Sequence, residues 1–147
     1  MIYISHRGNT NGKNVERENS PEYIFESLEK GYNVEVDIWL IDSKWYFGHD
    51  EPKYEIDLLE FKFLFDRIWF HCKNFEALEE LSIYKDIIYF YHSDDNFTLT
   101  SNKYIWTLTG EKLSKNSICV LPENSNYNEL NCYGICSDFI QKYKSQI

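Results

Sequence analysis

The sequence is poor in alanine, methionine and arginine. One alanine and one methionine occur in 147 residues, and Arg7, Arg17 and Arg67 are the only guanidinium groups. With 15 Lys+Arg against 24 Asp+Glu, the formal net charge is −9. Nucleic-acid binding depends on clustered Lys and Arg that displace counterions from phosphates, so this balance excludes nucleic acid as a general partner. An acidic chain still binds a phosphate locally or through a metal. No run approaches the ~18 apolar residues of a spanning helix, which excludes an integral membrane contact of that kind. The opening MIYISHRGN has no basic n-region and no apolar segment of the ~7–15 residues a signal peptide carries, so a cytoplasmic protein is expected. Cys72, Cys119, Cys132 and Cys136 form no CxxC pair, and without a secretory signal they are expected to be reduced and buried.

Hydrophobic residues make up 43% and aromatics 18%, enough for an ordered core. No linker, repeat or low-complexity tract divides the chain, so one domain over residues 1–147 is expected. Ser20-Pro21-Glu22 opens a helix: Ser20 caps, Pro21 fits the first helical position and Glu22 favours the positive N-terminus. Gly31 ends it. Ile56–Asp66 is expected to be helical with Ile56, Leu59 and Phe63 on one face, and helices are expected over Phe75–Tyr84 and Phe139–Ser145. Eight short β-runs are expected: Ile2–Ser5, Asn33–Leu40, Trp45–Gly48, Arg67–Phe70, Asp86–Tyr91, Tyr104–Thr107, Ser117–Leu121 and Tyr133–Cys136. Strands alternating with helical segments favour parallel pairing, and eight of them a closed (β/α)8 barrel. Such barrels typically take ~250 residues, so the expectation is a reduced TIM-type barrel with trimmed helices.

The polar residues concentrate where β-runs end. His6, His49, His71 and His92 each follow one, and in parallel α/β folds the carboxyl ends of strands are where ligands bind. In Val34-Glu35-Val36-Asp37-Ile38 the alternation of a strand places Glu35 and Asp37 on one face and the apolar trio on the other. Two carboxylates pointing into a barrel require a cation or donors, and a hard dication suits oxygen ligands. The same spacing also fits an edge strand with a solvated acidic face. His71 and Lys73 share a face, and a lysine there can meet phosphate charge. Arg7 before Gly8 can chelate a phosphate, and Glu18-Asn19 precede the helix capped by Ser20.

In order along the chain, His6-Arg7-Gly8, Glu18-Asn19-Ser20, Gly31, Glu35-x-Asp37 and His49-Asp50 resemble the signature of the glycerophosphodiester phosphodiesterase family. Phe70-His71-Cys72-Lys73 is similar to that family's strand bearing a Glu-x-Lys pair, and Tyr133–Asp138 to its last strand. The resemblance implies a (β/α)8 barrel and a phosphoric diester hydrolase of lipid metabolism. It implies a small-molecule glycerophosphodiester-like substrate and a bound dication, Mg²⁺ or Ca²⁺ rather than Zn²⁺. Residue by residue it implies Glu35 and Asp37 as metal ligands and His6 and His49 as the acid–base pair. It implies Arg7 and Lys73 as phosphate-binding residues, and Glu18 and Asn19 as residues ordering the site entrance. His71 stands where the family carries its third metal carboxylate, so either His71 itself or Glu123, Asp94 or Asp95 completes the ligand set. The family's insertion after the His-Asp motif is shortened to Glu51–Glu55. A phospholipase D-like enzyme and a phosphate-binding barrel without turnover are the alternatives. The oligomeric state is left open.

Overall fold

The alternation in Asn33-Val-Glu-Val-Asp-Ile-Trp-Leu-Ile produces the central strand of the molecule. The computed structural model describes residues 1–146. In chain order its strands are β1 (Ile2–His6), β2 (Asn33–Ile41), β3 (Lys44–Phe47), β4 (Tyr54–Ile56), β5 (Ile68–Cys72), β6 (Ile88–Phe90), β7 (Phe97–Leu99), β8 (Ile105–Thr107), β9 (Ser117–Val120) and β10 (Gly134–Ser137). Its helices are α1 (Pro21–Glu29), α2 (Phe75–Leu81) and α3 (Ile140–Lys144), with 3₁₀ segments at Leu58–Arg67 and Pro122–Asn124. Among the described residues, no helix is long and apolar enough to cross a membrane.

The expected TIM-type barrel is not what forms. The sheet is a curled, strand-rich half-barrel of mixed direction. Its parallel ladder runs β6–β5–β2–β1–β10–β9–β8, and no ladder joins β6 to β7 or β8. Two local features explain the difference. At Asp42-Ser43 the backbone takes φ 48° and 64°, the left-handed pair of a type I′ turn, which folds β3 back antiparallel on β2. The run Trp45–Gly48, counted above as a barrel strand, is therefore a hairpin arm, and β4 extends it. Likewise β7 pairs antiparallel with β8, so the place beside β8 where a closed barrel would set β6 is taken by β7. The second feature is the scarcity of helix. The three α-helices among the described residues hold 9, 7 and 5 residues, too few to wrap a closed barrel.

Leu58–Arg67 departs from the expected helix in both type and phase. It is 3₁₀, with the Asp57 side chain accepting from Leu59 N, and its three-residue period buries Leu58 and Phe61. Leu59 and Phe63, expected to share a helical face with Ile56, are 70% and 91% exposed. By contrast α1 begins and ends as its sequence dictates. Ser20 Oγ accepts from Tyr23 N, and Gly31 takes φ 84° just past the end.

The sheet carries a core on each face. Val34, Val36, Ile38, Ile68 and Phe70 pack under Ile24 and Leu28 of α1, Phe61, and Ala77 and Leu81 of α2. Burying each of the larger side chains contributes about 1.5–3 kcal/mol. On the other face Ile4, Trp69, Phe90, Trp106, Ile118, Val120 and Cys136 form the inner core. There the Phe90 and Trp106 rings lie 4.4 Å apart and close with side chains the seam that no ladder crosses. Glu35, Asp37 and His71 alternate out of phase with Val34, Val36 and Phe70, so they belong to this inner face and sit at its rim.

Candidate functional site

Parallel register assembles the site. His6 is paired with Glu35 across β1 and β2, and Asp37 with His71 across β2 and β5. All four side chains are buried, Asp37 completely. Two non-glycine residues in the left-handed region shape the loops above them: Arg7 at φ 55° and Asn19 at φ 64°. Arg7 N donates to the Glu35 carbonyl (3.0 Å) and lies 3.2 Å from Glu35 Oε2. Its guanidinium then turns back, donating from Nη1 to Glu18 Oε2 (3.3 Å), with Nε 3.1 Å from Asp37 Oδ2. Gly8 follows at φ 90°, and a Cβ there would lie 2.8 Å from the Tyr23 ring. Asn19 clamps Asp37 twice: Nδ2 donates to Oδ2 (2.9 Å), and Oδ1 accepts from Asp37 N (3.0 Å).

Asp37 Oδ1, like Arg7 Nε beside it, is an exception. It is buried without a hydrogen-bond partner. His71 Nδ1 approaches it to 3.0 Å and Glu35 Oε1 to 3.7 Å, while Lys73 Nζ stands 3.9 Å from Asp37 Oδ1. The contact with His71 is close enough for an ion pair but does not satisfy Oδ1 as a directed hydrogen bond. The other ring nitrogen, His71 Nε2, lies 3.3 Å from the His92 carbonyl oxygen, which only accepts. Nε2 therefore carries a proton. A neutral His71 then presents the bare Nδ1 lone pair to two carboxylates, an arrangement that requires a cation between them. A second proton on Nδ1 is one such cation, and a metal ion is another. Burial alone would lower the His71 pKa, but the contacts with Asp37 and Glu35 overcome it and raise it to about 9. Asp37 is held well below the usual carboxylate range: burial opposes this, and His71, Arg7 and Asn19 outweigh it. Glu35, Asp37 and His71 place donor atoms within 4.8 Å of one another, so they could hold a metal ion.

Both histidines expected to handle protons are backed by an aspartate. His6 Nδ1 lies 2.7 Å from Asp138 Oδ1, which leaves Nε2 facing Glu35 Oε2 at 3.9 Å. Burial lowers the His6 pKa, but the hydrogen bond to Asp138 and the charge of Glu35 leave it raised overall. Asp138 is lowered in turn, chiefly by His6 against the cost of burial. His49 Nδ1 lies 2.7 Å from Asp50 Oδ1 on a side chain 39% exposed. His49 stands where two clefts meet. One, of about 380 Å³, is lined by Arg7, Glu18, Asn19 and Lys53; the other, of about 230 Å³, by His71, Lys73 and His92. His6 lines neither and reaches the carboxylates from within the protein. Another depression, of about 820 Å³ around Phe63, Tyr84 and Asp86, opens at the amino ends of β5 and β6, away from these groups.

Glu123 is not with the other acids. Its Oε2 accepts from the Ser137 hydroxyl (2.9 Å) and its Oε1 from Asp138 N (3.0 Å), so it holds the end of β10 and stands apart from the Glu35, Asp37 and His71 cluster. Asp94 and Asp95 lie exposed in the loop before β7. Glu18 and Asn19 are buried struts of Arg7 and Asp37 that also line the larger of the two clefts meeting at His49.

Sequence reasoning missed Asn9, which is fully buried. Its Nδ2 donates to Glu18 Oε1 (3.0 Å) and Asp138 Oδ1 (2.8 Å), and its Oδ1 accepts from Asn14 N and the Tyr23 hydroxyl. It ties the Arg7 loop to the end of the last strand. Nothing in a Gly/Asn-rich loop distinguishes it locally. Asp138 had a signal, an acid directly after the apolar run of β10, but no partner was visible for it. No family model, curated protein or solved structure matches the chain.

Proposed function

We propose that the chain is a phosphodiesterase that cleaves a glycerophosphodiester-like substrate, with a divalent cation held by Glu35, Asp37 and His71. The observation that carries this reading is the buried, unpartnered Asp37 Oδ1 facing the Nδ1 of a histidine whose other nitrogen is already committed. A dication bound there supplies positive charge to a non-bridging phosphoryl oxygen.

The remaining work falls to protein side chains. Lys73 and the exposed part of Arg7 face the two clefts and add charge for the phosphate. Asp138 holds His6 with its Nδ1 proton engaged, and Asp50 does the same for His49. Each imidazole is thereby fixed in the tautomer whose Nε2 can take or give a proton. One removes the proton from the attacking hydroxyl or water, and the other delivers a proton to the departing alkoxide.

The test is release of alcohol from glycerophosphocholine and of nitrophenol from bis(4-nitrophenyl) phosphate, with and without chelator and across several dications. His6→Ala and His49→Ala are each expected to lose at least ~10²-fold in rate. Wild-type turnover in either variant would overturn the acid–base pair, and full turnover in chelator would overturn the cation. Binding of glycerophosphocholine without turnover would assign a binding module instead.

A further inference from the structure

We infer that the cation position at Glu35, Asp37 and His71 selects a first-row transition dication of the zinc type over Mg²⁺ and Ca²⁺. The inference rests on the cation reading given above, though not on turnover.

The donor set is two carboxylates and one imidazole nitrogen. Mg²⁺ and Ca²⁺ take oxygen ligands, whereas imidazole suits zinc and its neighbours. His71 can act as a donor only if Nδ1 is free of a proton and held in place, and both conditions are built in. The His92 carbonyl engages Nε2 at 3.3 Å, which assigns the lone pair to Nδ1. This is the outer hydrogen bond that commonly orients a metal-binding histidine. The ring is clamped by stacking on Phe90 (5.0 Å, 11°) and on His92 (4.5 Å, 4°), so Nδ1 stays aimed at the carboxylates.

Spacing agrees. A tetrahedral ion with bonds of about 2.0–2.2 Å separates neighbouring donors by about 3.4 Å. His71 Nδ1 stands 3.0 Å from Asp37 Oδ1 and 3.7 Å from Glu35 Oε1, on either side of that value.

Charge agrees as well. Two carboxylates only neutralise a dication, and Arg7 Nε at 3.1 Å from Asp37 Oδ2 and Lys73 Nζ at 3.9 Å from Oδ1 further weaken the negative field. Hard ions, which give up tightly held water for electrostatic gain, lose most from this. An ion that forms a strong bond to nitrogen loses least.

The test is calorimetric titration of the chelator-stripped full chain with Zn²⁺, Co²⁺, Mg²⁺ and Ca²⁺, alongside His71→Glu and His71→Ala. In the wild type Zn²⁺ is expected to bind at least about 100-fold more tightly than Ca²⁺ or Mg²⁺. Loss of the imidazole in His71→Ala should weaken Zn²⁺ at least about tenfold, and His71→Glu should narrow the Zn²⁺-to-Ca²⁺ ratio at least about tenfold by raising Ca²⁺ affinity. Nitrogen-15 NMR of the wild type supplies a second measurement that needs no variant to fold: Zn²⁺ should shift the Nδ1 resonance of His71. Equal or tighter Ca²⁺ binding, an unchanged ratio in His71→Glu, or a shift confined to His6 or His49 would overturn the inference alone. Absence of binding by any dication would overturn both it and the cation in the proposed function.

Discussion

Raising the pH of the chelator-treated protein should weaken it, and a large part of the loss should come from one side chain, His71. Its ordinary pKa is 6.5 and its folded value is about 9. A group raised on folding contributes its full stabilisation below the unfolded value, and that contribution disappears as pH rises through the folded value. The window is therefore pH 6.5 to about 9. The side chain is 10% exposed, so solvent screens the interaction little. At 1.36 kcal/mol for each pH unit, the shift corresponds to about 3 kcal/mol. For a chain of this length that is a fall of roughly 6–12 °C in Tm. Urea unfolding at a series of pH values from 6 to 9 reads it directly, with His71→Gln as the comparison because it does not titrate. His6 is also raised, but it is present in both proteins and drops out of the difference. The wild type should lose about 2–3 kcal/mol more than His71→Gln across the window. Saturating zinc should reverse the trend, since it competes with the proton on Nδ1 and gains as pH rises. Parallel profiles for the two proteins in chelator would refute the placement of His71 between ionised Glu35 and Asp37.

Two other substitutions probe separate links. Asp138→Asn replaces the charged acceptor at His6 Nδ1 by a neutral amide, so the His6 titration followed by NMR should move to lower pH, with turnover reduced at least about tenfold; an unmoved titration would show that the Asp138 charge does not govern His6. Gly134→Ala introduces a methyl 2.5 Å from Ile2 Cγ1 and 2.9 Å from Ile118 Cδ1. It should destabilise by about 1–3 kcal/mol in urea unfolding, and a change below about 0.5 kcal/mol would mean the adjoining strands separate freely.

Much of the local structure was legible because it is written in neighbours. The alternation of Glu35 and Asp37 against Val34, Val36 and Ile38 defines both the strand and its two faces, and Ser20-Pro21 and Gly31 bound α1. All eight expected strands have counterparts. What failed was the step from strands to topology. That step turned on the left-handed pair Asp42-Ser43, where neither residue is glycine, and on β7, a short Phe-Thr-Leu run hidden behind Asp94-Asp95-Asn96. The site divides the same way. Glu35, Asp37, His6 and His71 converge because each occupies a parallel strand at matching height. The Asn9–Asp138 and His6–Asp138 bonds span 129 and 132 residues, so no local pattern could announce them. Glu123 shows the opposite: an acid after an apolar strand looks unengaged, and only the fold shows each of its oxygens accepting a hydrogen bond.

The left-handed turns at Arg7 and Asn19 have a consequence for recognition. Non-glycine residues held in that conformation cost on the order of 1–3 kcal/mol each and persist only where surrounding bonds over-determine them. Here the bonds run to the site itself: Arg7 to Glu35 and Glu18, and Asn19 to Asp37. The conformational entropy of aiming these side chains is thus lost when the chain folds, not when a ligand arrives. A phosphate or ion binding as proposed would meet a preorganised cradle, and the binding free energy would be spared the ordering that a flexible arginine loop imposes.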